Sequence, residues 1–133
     1  MMLDNLVTRH DDGQIAHLTL NAPATTNALS EAMMSALCER LKAISSDTSV
    51  RVVIVSGAGA HFCAGHNLKE MTEHRTDADG GRQYFKDLFD RCSEMMLSIT
   101  RLPQPVIAQV QGIATAAGCQ LVATCDLAIA ATD

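Results

Sequence analysis

At 133 residues the chain is long enough for one domain with one hydrophobic core, and too short for two. Acidic residues outnumber basic ones by 15 to 10. The chain has no tryptophan, one tyrosine and three phenylalanines, so few side chains could stack on nucleotide bases. Nucleic acid is therefore excluded as an expected partner. No apolar run reaches the roughly 18 residues of a membrane span, and the start resembles no secretion signal. Five cysteines without a C-x-x-C pair favour reduced thiols. We therefore expect a cytoplasmic protein without a membrane partner.

The first half of the chain predicts a strand, a helix and a second strand. Residues 15–20 are short, apolar and alternating, which is typical of a strand. Residues 30–46 place apolar side chains on one face at helical spacing, with Ser30 as the N-cap. Residues 51–56 form a β-branched run that predicts a buried strand. Residues 61–71 read as a loop with room for a short helix.

The second half continues the alternation of helices and strands. Residues 72–81 are polar and contain glycine, which predicts a mobile segment, and residues 82–102 predict a long amphipathic helix that two prolines end. Residues 105–110 predict a strand, residues 116–124 a helix of small residues, and residues 126–130 a last strand. Strands that alternate with helices predict an α/β fold.

Common cofactor and metal motifs do not fit. The glycines at 57 and 59 follow a strand, but Phe62 stands where a dinucleotide-binding loop needs its third glycine. His61 and His66 flank Cys63 without the paired spacing of a zinc site. We therefore expect neither a nucleotide cofactor nor a metal.

Two turns rich in small residues remain, residues 61–71 and 111–121, and each directly follows a predicted strand. Glycine and alanine let the backbone approach a ligand closely, and the second turn also opens a helix, whose first N–H groups are free. Two N–H groups that converge on one point would form an oxyanion hole, suited to a thioester carbonyl becoming an enolate. The alternative is that both turns are merely tight strand-to-helix packing.

The sequence blocks that contain these turns resemble one family. The residues that carry the resemblance are I15-A-H-L-T-L-N-A-P23, N27-A-L29, R51-V-V-I-V-S-G57, F62-C-A-G-H-N-L-K-E-M71, P105-V-I-A-Q-V-Q-G112 and A117-G-C-Q-L-V-A-T-C-D126. They are similar, in this order, to the N-terminal half of the enoyl-CoA hydratase/isomerase (crotonase) family, above all to its enoyl-CoA hydratase domain-containing subgroup with ATAAGCQL. The resemblance implies a crotonase-like ββα spiral, assembled as trimers or hexamers. Residues 1–133 would be its N-terminal portion only, without the C-terminal half.

The resemblance also implies the site. The backbone N–H groups of His66 and Ala117 would form the oxyanion hole, the segment from His66 to Lys69 would line the acyl-CoA site, and coenzyme A would enter as part of the substrate, with no separate cofactor. The predicted substrate-binding residues are Asn27, Ala28, Leu29, Gly65, His66, Asn67, Leu68, Lys69 and Ala117.

One position breaks the family pattern. Gln120 stands where hydratases of this family carry a catalytic glutamate, and an amide cannot accept a proton as a carboxylate does. Glu70 and Glu73 follow the first turn and are alternative bases. Three readings stay open: an acyl-CoA lyase or isomerase of fatty acid metabolism that stabilises a thioester enolate, a non-catalytic CoA-thioester binder, and an inactive fragment.

Overall fold

The computed structural model describes residues 5–133, which form one five-stranded sheet and the helices that connect its strands. In chain order its elements are β1 (Val7–Asp12), β2 (Ile15–Leu20), α1 (Glu31–Ser45), β3 (Val52–Gly57), α2 (Leu68–Glu73), α3 (Arg82–Thr100), β4 (Val106–Val110), α4 (Ala117–Thr124) and β5 (Leu127–Ala130). The predicted α/β fold is confirmed.

The strands lie in the sheet in the order in which they occur along the chain. β1 and β2 form an antiparallel hairpin in which Val7 pairs with Leu20, and β2, β3, β4 and β5 are all parallel. Parallel neighbours need a crossover connection, and the helices supply it. Because β2, β3 and β4 run in the same direction, the loops that follow them lie together at the C-terminal end of these strands.

The core lies between the sheet and helices α1 and α3. Ser30 caps α1 as predicted, since its Oγ accepts a hydrogen bond from the N–H of Met33 at 3.0 Å. Each fully buried Leu or Val side chain contributes about 1.5–3 kcal/mol relative to an exposed one. The largest core side chains with almost no exposure are Leu18, Leu20, Leu29, Met33, Met34, Leu37, Leu41, Ile44, Phe62, Met95, Ile99 and Leu121.

The sequence patterns missed one strand, β1. Its sequence VTRHDD exposes or half-exposes every residue after the buried Val7, because β1 is an edge strand with one neighbour. The available signal was Gly13, whose φ of +58° suits the two-residue turn to β2.

The segment predicted as mobile contains a 3₁₀ turn at His74–Thr76. The ring of His74 stacks on the ring of Tyr84, with 3.6 Å between the ring centroids.

The last strand, β5, lies at the edge of the sheet opposite β1 and is exposed. All four residues of β5 are exposed, with Leu127 and Ile129 more than 60% accessible. Among the described helices, none combines the length and apolar character needed to cross a bilayer.

Candidate functional site

The loops after β2, β3 and β4 are joined to one another by backbone hydrogen bonds. Leu29 donates its N–H to the carbonyl of Gly65 at 2.7 Å, and a parallel bridge connects Leu29 with His66. Cys63 donates to the carbonyl of Ile113 and accepts from the N–H of Thr115 at 3.1 Å. Both predicted small-residue turns therefore lie side by side, with residues 27–29 against the first of them.

A buried asparagine holds the first turn in place. Asn27 is fully buried with φ of +51°, and its Oδ1 accepts from the N–H of Ala22 at 2.9 Å. Its Nδ2 lies 3.0 Å from each of three carbonyl oxygens, those of Ala58, His61 and Phe62. The two amide hydrogens are thus shared among three acceptors, at the start of the first turn and just before it. The side chain of Asn27, one of the predicted substrate-binding residues, is a structural clamp between loops.

Small residues are required where the two turns touch. A Cβ on Gly65, whose φ is +92°, would lie 3.0 Å from the Cβ of Ala116 and 3.1 Å from the backbone N of Ala117. A Cβ on Gly118 would collide with the carbonyl of Cys63. The backbone of residue 65 therefore packs directly against the start of α4.

The N–H groups of His66 and Ala117 have no hydrogen-bond partner within residues 5–133. Ala117 is the first residue of α4, and the residue before it, Ala116, has φ of +51° and ψ of −126°. A non-glycine residue in such a region costs about 1–3 kcal/mol, and strained residues of this kind concentrate at functional sites. The strain at Ala116 turns the chain sharply from the second turn into the helix.

A cleft of roughly 460 Å³ opens beside these groups. Five of the predicted substrate-binding residues line it: Ala28, His66, Asn67, Leu68 and Lys69. The cleft is also lined by Thr25, Ala64, Met71 and Ala116, which the sequence did not single out. Of the other predicted residues, Asn27, Leu29 and Gly65 are buried behind the cleft wall, and Ala117 follows the lining residue Ala116.

The imidazole of His66 is half-buried at the cleft. Its ring meets the ring of Phe89 from α3 edge-on, with 5.6 Å between centroids and 74° between planes. Nδ1 is buried and has no hydrogen-bond partner among the described residues. Burial lowers the pKa of His66 below its ordinary value, which the carbonyl of Leu29 partly opposes. Burial therefore favours the neutral form of this imidazole.

The structure places the other singled-out polar residues away from the cleft or in structural roles. Gln120 lies one turn after Ala117 in α4 and is exposed, with no hydrogen-bond partner for its side chain among residues 5–133. Glu70 accepts from the N–H of Glu31 at 3.1 Å and so caps α1. The Oδ1 of Asn67 caps α2 by accepting from two N–H groups. Residues 5–133 hold no group of three or more histidine, cysteine or acidic side chains placed for a metal ion.

Comparison with known proteins identifies the fold. The enoyl-CoA hydratase/isomerase family pattern matches residues 10–133. The chain is 45% identical over 116 residues to the mitochondrial enoyl-CoA hydratase domain-containing protein 3 of Xenopus laevis, covering 87% of this chain and 38% of that protein. The crystal structure of an enoyl-CoA hydratase from Mycobacterium smegmatis matches with a TM-score of 0.87 at 52% identity, covering 96% of this chain and 48% of that one.

A second crystal structure, human enoyl-CoA hydratase domain-containing protein 3, matches with a TM-score of 0.85 at 38% identity, over 94% of this chain and 47% of that one. These matches confirm the predicted crotonase-like fold. The chain spans less than half the length of each of these relatives.

Proposed function

Because the chain belongs to the enoyl-CoA hydratase/isomerase family, we propose that it binds an acyl-CoA thioester in the cleft beside His66. The N–H groups of His66 and Ala117 would donate to the thioester oxygen and stabilise the enolate that forms when the α-carbon loses a proton. Fixed N–H donors aimed at developing negative charge are usually the largest single contribution to such a reaction.

One observation carries the proposal: the two N–H groups without a partner belong to neighbouring turns that the chain packs together with glycine and alanine. Exposed backbone N–H groups are ordinary at loops, where water satisfies them. Here a Cβ on Gly65, the residue next to His66, would lie 3.1 Å from the backbone N of Ala117 itself. The start of α4 adds the partial positive charge of a helix N-terminus, which favours an oxyanion.

The test is a calorimetric titration of the protein with butyryl-CoA, with free coenzyme A as the control ligand. Ala117→Pro removes one donor, and position N1 of a helix is where proline is best tolerated. We expect affinity for butyryl-CoA to fall about fivefold, the worth of one hydrogen bond. Binding of free coenzyme A, which lacks the acyl carbonyl, should be unchanged.

Circular dichroism establishes that Ala117→Pro remains folded. A folded variant that binds butyryl-CoA as tightly as the original protein removes Ala117 from the proposed donor pair. A protein that binds no acyl-CoA at all defeats the proposal as a whole.

A second candidate function is that of a CoA-thioester binder without hydratase activity. The observation that favours it is Gln120, an amide where a carboxylate would handle water. General acid–base help is worth about 10²–10⁴-fold in rate. If Gln120→Glu raises hydration of crotonyl-CoA by such a factor with unchanged affinity, the binder reading is correct for the natural sequence. If the unaltered protein already hydrates crotonyl-CoA, that reading is wrong.

A further inference from the structure

His66 differs from every other side chain at the cleft in its proton chemistry. Of the lining residues, only His66 and Lys69 are ionisable. A lysine ammonium ordinarily holds its proton to about pH 10, whereas an imidazole exchanges one near neutrality. Within the part of the cleft that residues 5–133 form, His66 is thus the one group able to take up and return a proton at pH 7.

The surroundings of the ring favour a neutral base. The edge of Phe89 and the burial of Nδ1 remove water from one side of the imidazole. A neutral imidazole has one nitrogen with a proton and one with a free lone pair. Because Nδ1 is buried and has no hydrogen-bond partner among the described residues, the reaction falls to the other ring nitrogen, Nε2.

The acidic side chains near the first turn are already engaged or lie elsewhere. Glu70 is bound to the N-terminus of α1 through the N–H of Glu31. Glu73 is exposed at the end of α2 and does not line the cleft. Gln120 cannot carry a proton. Among the side chains of residues 5–133 singled out here, the imidazole is the one that lines the cleft and can carry a proton near neutral pH.

We propose that His66 is a catalytic residue through its side chain as well as its backbone, and that its imidazole removes and returns the α-proton of the bound thioester. This inference rests on the proposed function. The imidazole lone pair takes the proton, and the C–H electron pair becomes the enolate double bond. The negative charge moves to the thioester oxygen, and return of the proton from the imidazolium to the α-carbon closes the cycle. No other reactant is needed.

The experiment measures exchange of the α-protons of butyryl-CoA in D₂O by ¹H NMR and mass spectrometry. The imidazolium exchanges its proton with solvent, so each cycle places a deuteron on the α-carbon. Two variants, His66→Ala and His66→Gln, keep the backbone N–H of residue 66 and remove only the imidazole. We expect both to lower the exchange rate by about 10²–10⁴-fold, the usual worth of general acid–base catalysis, with affinity for butyryl-CoA within threefold of the original.

A matched control removes an imidazole elsewhere. His10→Ala deletes an exposed histidine on β1, and its exchange rate should equal that of the original protein. Added free imidazole should restore part of the exchange in His66→Ala, which a structural role for the ring would not allow. Melting curves identify any variant that fails to fold. If one of the two His66 variants does not fold, the exchange rate of the other one tests the role of the imidazole.

The possible outcomes separate the inference from the proposed function. If the protein binds butyryl-CoA but neither variant loses exchange, the imidazole is not the proton carrier and the thioester site stands. If the protein binds butyryl-CoA and shows no exchange at all, the inference is likewise wrong. If it binds no acyl-CoA, the proposed function fails first and the inference falls with it.

Discussion

The two turns that meet at the cleft are held in different ways. The first turn, residues 61–71, is clamped at its start by the side chain of Asn27, which reaches the carbonyl oxygens of His61 and Phe62 and that of Ala58 just before the turn. The second turn, residues 111–121, is attached chiefly to the first, through backbone bonds and through the His61 ring that accepts from the N–H of Ile113 at 3.0 Å. The second turn also carries the strained Ala116.

The two turns therefore differ in their structural roles. A loop with its buried carbonyls satisfied by a fixed amide is a rigid support. The second turn is bonded to that support and carries the strained Ala116 immediately before α4. Asn27, which lies outside both turns, thus holds the turn that carries the His66 N–H, and the turn that carries the Ala117 N–H is bonded to it.

The largest effect is expected from removing that clamp. Asn27→Ala leaves several buried polar groups without partners and places alanine at φ of +51°, so the free energy of unfolding should fall by about 3 kcal/mol or more. Urea unfolding measures it. Asn21→Ala, an exposed amide that bonds only to the carbonyl of Asn5, should change stability by less than about 0.5 kcal/mol. Equal effects of the two variants would show that Asn27 is no clamp.

The contrast also explains what the sequence predicted and what it could not. Strands β2 to β5 and helices α1, α3 and α4 follow from apolar periodicity and caps such as Ser30, because those signals are local. The small residues of both turns are equally visible, since close backbone approach demands glycine and alanine. β1 was missed because an edge strand with polar residues shows no alternation.

The duty of Asn27 depends on contacts with residues more than 30 positions away, which no local pattern shows. The same holds for Glu70, a candidate base that instead caps a distant helix. The strain at Ala116 is still harder to predict from sequence, because alanine is an ordinary residue for a helix start and nothing in its identity indicates a positive φ. Sequence resemblance named five of the residues that line the cleft, whereas their supporting contacts required coordinates.

A smaller effect of opposite sign is expected at the second turn. Ala116→Gly relieves strain of about 1–3 kcal/mol and adds an entropy cost of about 0.5–1 kcal/mol, so we expect a stability gain of about 1 kcal/mol in urea unfolding. The control Ala123→Gly, exposed in the same helix, should destabilise by about 1 kcal/mol. A loss of stability in both variants would show that Ala116 is not strained.

The smallest effect is expected in the pH dependence of stability, through His66 in the first turn. Burial holds the pKa of His66, in the first turn, below its ordinary value of 6.5, so the unfolded chain binds a proton more readily than the folded one. The resulting stability is fully present above the ordinary pKa and is lost as the pH falls toward the lowered one. Urea unfolding of the original protein should therefore weaken between pH 7.5 and about 5.5, and His66→Gln should weaken less. The difference is small because solvent screens a half-buried ring. Parallel pH profiles for the two proteins would mean that His66 titrates alike folded and unfolded, and that the first turn does not shield its ring from water.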